Sequence, residues 1–128
     1  MFELSKQFRF EAAHTLRRNV DAEPSRRIHG HSYTAEVTLQ GKRDANGMVL
    51  DLGHFARALE EARGKLDHHF LDDITDLGPA TIENLAAWIW KTVEPACPGL
   101  ARVAVWRESS GDRCTYFGPT SPQAGGDK

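Results

Sequence analysis

Cysteine is scarce: of 128 residues only Cys97 and Cys114 carry thiols, with neither metal-type spacing nor the pattern of a disulfide framework. A basic excess is also missing. Sixteen Lys and Arg against eighteen Asp and Glu leave a net charge of −2, which argues against the strongly basic surface of a dedicated nucleic-acid binder. No apolar run is long enough to span a bilayer, and the opening Met1-Phe2-Glu3-Leu4-Ser5-Lys6 lacks the apolar core of a signal peptide. The expectation is a soluble cytoplasmic protein with reduced thiols and no membrane or nucleic-acid partner. Internal repeats and low-complexity segments are absent too. With 40% hydrophobic residues the chain fits one compact domain, which buries roughly two-thirds of its unfolded surface.

What is present is histidine in a telling arrangement. In Ile28-His29-Gly30-His31 the two imidazoles point the same way if the backbone is extended, because strand side chains alternate with period 2. From His31 the odd positions continue Tyr33, Ala35, Val37, Leu39, an apolar strand face. Two imidazoles on one strand edge can fill two corners of a zinc tetrahedron. By itself a His-x-His pair also fits ordinary histidines at a loop–strand junction. Residues 2–14 supply the missing partner. Phe2, Leu4, Phe8, Phe10, Ala12 and His14 share one parity, broken only by Lys6, so His14 ends the apolar face of a second strand. If the two strands pair, His14, His29 and His31 form a three-histidine site with a fourth position open, the arrangement of a catalytic zinc.

Residues 17–28 carry four arginines and Pro24 and read as a loop, either a solvated basic surface or a recognition loop for an anionic substrate. Asn46-Gly47 marks a hairpin-type turn, after which Met48-Val49-Leu50 can continue the sheet. Asp51 caps a helix with apolar positions Leu52, Phe55, Leu59, Ala62 and Leu66, and His54 in its first turn reads as a surface residue. The run Leu66-Asp67-His68-His69-Phe70-Leu71-Asp72-Asp73 packs acids against imidazoles. It fits a general acid/base pair or an acidic helix end with incidental histidines. Thr81 caps a second helix with a stripe of Ile82, Leu85, Ala86, Ile89 and Val93, flanked by Trp88 and Trp90 as packing residues. Residues 101–109 and 113–118 read as a hairpin around Ser109-Ser110-Gly111-Asp112. Spacing alone gives Glu108 no functional weight. Residues 120–128 read as a disordered tail after a domain of residues 1–119.

The order strand, strand, two helices, two strands, together with Phe10-Glu11-Ala12-Ala13-His14, His29-Gly30-His31, Leu66-Asp67-His68-His69, Pro79-Ala80-Thr81-Ile82-Glu83-Asn84-Leu85-Ala86 and Arg107-Glu108-Ser109, resembles the T-fold family of 6-pyruvoyltetrahydropterin and 6-carboxytetrahydropterin synthases. The resemblance covers roughly residues 2–118. It implies an α+β fold: a four-stranded antiparallel sheet with two helices packed on one face, inserted between strands 2 and 3. It further implies Zn²⁺ on His14, His29 and His31, an Asp67–His68 acid/base pair, and a pterin anchored by Glu108. Thr81 would also contact the substrate, and Arg26 and Arg27 would hold its triphosphate. A homo-oligomer, trimer or hexamer, with sites between subunits is implied as well. The reaction implied for the bacterial branch converts 7,8-dihydroneopterin triphosphate to 6-carboxytetrahydropterin, acetaldehyde and triphosphate on the way to queuosine.

One position departs from that pattern. The carboxytetrahydropterin synthases carry a catalytic cysteine four residues before the first histidine of His-Gly-His, and this chain has Ser25 there. A thiol ionises near pH 8.5, whereas a serine hydroxyl needs a neighbouring base. Neither Cys97 nor Cys114 lies in that loop. Three readings follow: Ser25 activated by His68; Glu23, six before His29 where animal-type enzymes place their cysteine, acting as base; or a pterin-binding protein whose reaction is altered or lost. A 6-pyruvoyltetrahydropterin synthase activity is the further alternative.

Overall fold

The computed structural model describes residues 1–20 and 22–119. The expected tail at 120–128 lies outside the described residues. Strand β1 (Phe2–His14) and strand β2 (His29–Gly41) pair antiparallel along their whole length, with Phe10 opposite Tyr33, Ala12 opposite His31 and His14 opposite His29. Helix α1 (Ala22–Arg26) lies between them. After β2 come helix α2 (Leu52–Leu66), strand β3 (His69–Phe70), helix α3 (Ile82–Val93) and the strands β4 (Leu100–Arg107) and β5 (Asp112–Tyr116). Sheet order is β3-β1-β2-β4-β5, with β3 parallel to β1 and the other pairs antiparallel.

The α+β architecture agrees with expectation, and four differences are informative. The sheet has a fifth strand, β3, whose two residues lie alongside Ala12 and Ala13; a pairing that short leaves no period to read. One helical turn, α1, occupies the segment expected to be all loop, a length at which packing rather than propensity decides. Met48-Val49-Leu50 does not extend the sheet. Instead Asp44 folds that segment back, its Oδ1 accepting from the backbone N–H of Asn46 (2.8 Å) and of Met48 (3.1 Å), and Val49 and Leu50 pack on the core from outside the sheet. The Asn46-Gly47 turn therefore leads from β2 into α2, not into a hairpin.

Alternation places the core. Phe8, Phe10, Ala12 and His14 of β1, Tyr33, Ala35, Val37 and Leu39 of β2, and Val103 and Val105 of β4 are buried together. Against them lie Phe55, Ala58, Leu59, Ala62 and Leu66 of α2 and Leu85, Ala86, Ile89 and Val93 of α3. Each helix starts where its cap dictates. The Asp51 carboxylate accepts from Gly53 and His54, and the Thr81 hydroxyl accepts from the Asn84 N–H at 3.1 Å. Gly99 admits β4 to the sheet: its φ is +76°, and a Cβ there would sit 2.2 Å from the Gln40 carbonyl oxygen. Its own carbonyl accepts from Gln40 at 2.8 Å. The core thus runs into the histidine end of β1 and β2, where Phe10 stacks on Tyr33 with ring centroids 4.9 Å apart. No helix among the described residues is long and apolar enough to cross a membrane.

Candidate metal and ligand site

The register that sets His14 opposite His29 also brings His31 within reach. The three ring centroids lie 4.5, 4.8 and 4.9 Å apart, and one ligand nitrogen from each falls within 4.8 Å of the others. Tetrahedral Zn–N bonds of about 2.1 Å would set such nitrogens roughly 3.4 Å apart, so small ring rotations suffice. Backbone carbonyls fix two of the tautomers. His14 Nδ1 is 2.9 Å from Ala80 O, and His29 Nδ1 is 2.7 Å from Arg27 O. A carbonyl only accepts, so each Nδ1 carries the hydrogen and each Nε2 is left with a lone pair. Those two Nε2 atoms face each other at 2.9 Å. Lone pairs so placed call for a cation between them. Burial pushes the His14 imidazole below its ordinary pKa, and burial followed by the Arg107 charge pushes His31 down to about 4. These two rings are therefore neutral near pH 7, the form that binds metal. The donor set fits a divalent ion such as zinc.

The three histidines line a cavity of about 790 Å³, together with Tyr33, Thr81, Glu83 and the three arginines Arg18, Arg107 and Arg113 among others. This is the size range of a small-molecule site. Arg107 Nη1 is 3.0 Å from His31 Nε2, and its Nη2 donates to Asp112 at 2.9 Å.

A second cavity, of about 470 Å³, meets the first at His31 and is lined by Glu11, Gly30, Ser32, His68 and His69 among others. Asp67 is tied to two of these lining residues, Glu11 and His68. Its Oδ1 accepts from the Glu11 N–H (2.8 Å), while Oδ2 accepts from Arg63 (3.0 Å) and lies 3.0 Å from His68 Nδ1. The Glu11 N–H is the leading reason that the Asp67 carboxyl is lowered from its usual range. His68 sits at φ +59°, a left-handed conformation costing roughly 1–2 kcal/mol in a non-glycine residue. Its N–H, donated to Glu11 O at 2.6 Å, ties that bend to β1 and leaves the imidazole largely exposed.

Comparison with known proteins places this arrangement. The family described as 6-pyruvoyl tetrahydropterin synthase matches residues 3–119. The chain belongs to that family. A 6-carboxy-5,6,7,8-tetrahydropterin synthase from Synechocystis is 36% identical over 126 residues, covering 93% of this chain and 95% of the relative. A dihydroneopterin monophosphate aldolase from Pyrococcus furiosus is 32% identical over 100 residues, covering 76% and 82%. Among solved structures, the 6-pyruvoyl tetrahydropterin synthase of Caenorhabditis elegans superposes with a TM-score of 0.77 at 23% identity, over 92% of this chain and 96% of that one. The fold is thus that of this family of pterin lyases, and the histidine triad is consistent with its metal site.

The remaining expected site residues of this family member fall in different places. Ser25 is buried and borders the larger cavity, but its Oγ is 2.9 Å from Leu16 O and 2.8 Å from Ala22 O, both acceptors for its one hydrogen. It borders a different cavity from His68. Glu23, Arg26 and Arg27 are exposed and absent from the cavity lining, although their neighbours Pro24 and Ser25 are in it. Glu108 is exposed in the turn after β4 and lines neither cavity. Thr81 does line the larger one. Sequence reasoning overlooked Arg107 and Tyr33 as site residues and counted Arg18 only among the four arginines of the 17–28 loop. Parity could have found Arg107, since it follows Val103 and Val105 on the inward face of β4.

Proposed function

We propose that this chain is a zinc-dependent lyase of the 6-carboxytetrahydropterin synthase type, acting on 7,8-dihydroneopterin triphosphate to give 6-carboxytetrahydropterin, acetaldehyde and triphosphate. The observation carrying the proposal is the pair of lone-pair-bearing Nε2 atoms 2.9 Å apart, with His31 beside them in the lining of a small-molecule cavity. The near full-length similarity to the Synechocystis enzyme supports the choice of reaction. Zinc on His14, His29 and His31 would supply Lewis acidity to the substrate's side-chain oxygens. The protein's own part is proton transfer and binding. Asp67 orients His68 through Nδ1, so that Nε2 can take up and return a proton at the substrate carbon. Thr81 and the arginines of the cavity wall position the ligand, and Glu108 would reach a pterin only through a neighbouring subunit or a movement of its turn. Sites completed between subunits, in a trimer or hexamer, belong to this proposal.

Incubating the zinc-loaded protein with dihydroneopterin triphosphate should release acetaldehyde and triphosphate together. The His68→Ala variant should be slower by a factor of about 100 or more. A second reading, a pterin-binding member without turnover, is favoured by Ser25, whose hydroxyl hydrogen is already directed at backbone carbonyls. Zinc-loaded protein that binds the pterin and releases neither product would establish that reading and refute the first.

A further inference from the structure

The larger cavity carries more positive charge than a metal site requires. Arg18, Arg107 and Arg113 line it together with the carboxylates Glu83 and Asp112, and Arg113 is already engaged, stacked over Trp106 at 4.2 Å and 3.6 Å from Glu36. Arg107 is different. One arm is held by Asp112, the other points at His31 Nε2, and its buried Nε has no hydrogen-bond partner among the described residues. The Tyr33 hydroxyl, on a residue only 1% exposed in the same lining, also lacks a partner among them. Two residues lining one cavity thus each carry a buried donor that is costly unless something accepts from it.

The demand sharpens when the triad holds a metal. His31 then gives its lone pair to the ion and can no longer accept from Arg107, so Nη1 joins Nε in lacking an acceptor. The guanidinium and the ion, both positive and close together, repel each other. An anionic oxygen between them satisfies the donors and removes the repulsion.

We propose that Arg107 is the specificity-determining residue of this cavity, receiving an anionic group of the ligand, carboxylate or phosphate, beside the histidine triad. This rests on reading the triad as the metal site of a pterin-binding protein. It adds a residue that reading leaves unnamed: the group that receives the ligand's negative charge beside the metal. Arg107 selects such a ligand over a neutral one because an anion both accepts from the guanidinium and offsets its repulsion with the ion, whereas a neutral oxygen does only the first. The Tyr33 hydroxyl contributes a second donor to the same group.

The test is fluorescence titration of the zinc-loaded protein with neopterin, neopterin monophosphate and 6-carboxypterin, in the wild type and in Arg107→Met. Calorimetry with inorganic phosphate and acetate runs alongside. Arg107→Met should weaken at least one anionic pterin about tenfold or more while neopterin shifts by less than about twofold. The anion that suffers identifies the source, phosphate or carboxylate. An equal loss for all three pterins, or no loss, overturns the assignment. If the wild type binds no pterin, the proposed function fails on its own. Arg107 is then judged by the inorganic anions: weaker phosphate or acetate binding in the variant upholds its role, and unchanged or absent binding overturns it. Should Arg107→Met misfold, Arg107→Lys keeps the charge without the planar fork. An about threefold loss for anionic probes alone supports the assignment there, and a uniform or absent loss sinks it.

Discussion

Ser25 shows how much a single hydroxyl can be asked to do. As a reacting group it would need its hydrogen directed at a base, yet the hydrogen faces Leu16 O and Ala22 O, while the oxygen lies 3.4 Å from the Arg18 N–H. With Leu16 N–H donating to Ser25 O at 2.6 Å, these contacts close the loop between β1 and α1 against the cavity. Replacing Ser25 by alanine should therefore cost about 1 kcal/mol of stability and lower turnover by less than about tenfold, as read from a denaturation curve and from acetaldehyde release. A loss of a hundredfold or more with unchanged stability would show instead that the hydroxyl takes part in the chemistry. Glu108 and Arg107 make the complementary point. They are adjacent in sequence, but Arg107 is the last residue of β4 and faces inward, whereas Glu108 begins the turn and faces solvent. A motif match weighs both alike; strand alternation does not.

At the level of elements, what could be read in advance was whatever repeats. Period-2 alternation identified β1 and β2 and the shared end of their apolar faces, and with that the triad. Capping residues and apolar stripes identified α2 and α3. The parts missed have no period: a two-residue strand, a five-residue helix, and the segment at 48–50 that a side chain of Asp44 turns away from the sheet. Contacts distant in sequence were equally hidden. Ala80, just before α3, is joined to His14 of β1 only through the fold, by the bond between His14 Nδ1 and its carbonyl. The cap on α3 should therefore affect the triad. Thr81→Ala removes the acceptor for Asn84 N–H, a loss of about 1 kcal/mol or about 4 °C in Tm. It should also loosen the Ala80 carbonyl that holds the His14 tautomer, weakening zinc by about threefold or more. Thr81→Ser should restore both quantities. Thermal melts and a chelator-competition titration would decide it, and a variant that melts lower with unchanged zinc affinity would separate the cap from the triad.

For the whole molecule, the triad links proton uptake, metal binding and folding. His31 is held down to about 4 against an ordinary value of 6.5, and His14 is lowered as well, in both cases chiefly by burial. When the chain unfolds, both rings return toward pH 6.5 and bind protons that the folded state refuses, so between these values the unfolded state carries more protons. Stability of the metal-free protein should accordingly be level above about pH 6.5, decline as pH falls from there through about 4, and fall further in stronger acid as the lowered carboxyls Glu3, Asp67 and Asp112 are protonated. Zinc requires the same neutral rings. At a free concentration a hundredfold above its Kd it should add about 2.7 kcal/mol near pH 7.5, and that increment should disappear over the same acid range as protons displace it. Denaturation curves at pH 7.5, 6 and 4.5, with chelator and with zinc, measure both effects. His29→Ala should abolish the zinc increment at every pH, and His31→Gln should flatten the decline in the metal-free protein. Equal stability with and without zinc at pH 7.5 would remove the metal from the account of this fold. An unchanged pH slope in His31→Gln would instead place the proton uptake on His14, which burial lowers in the same way.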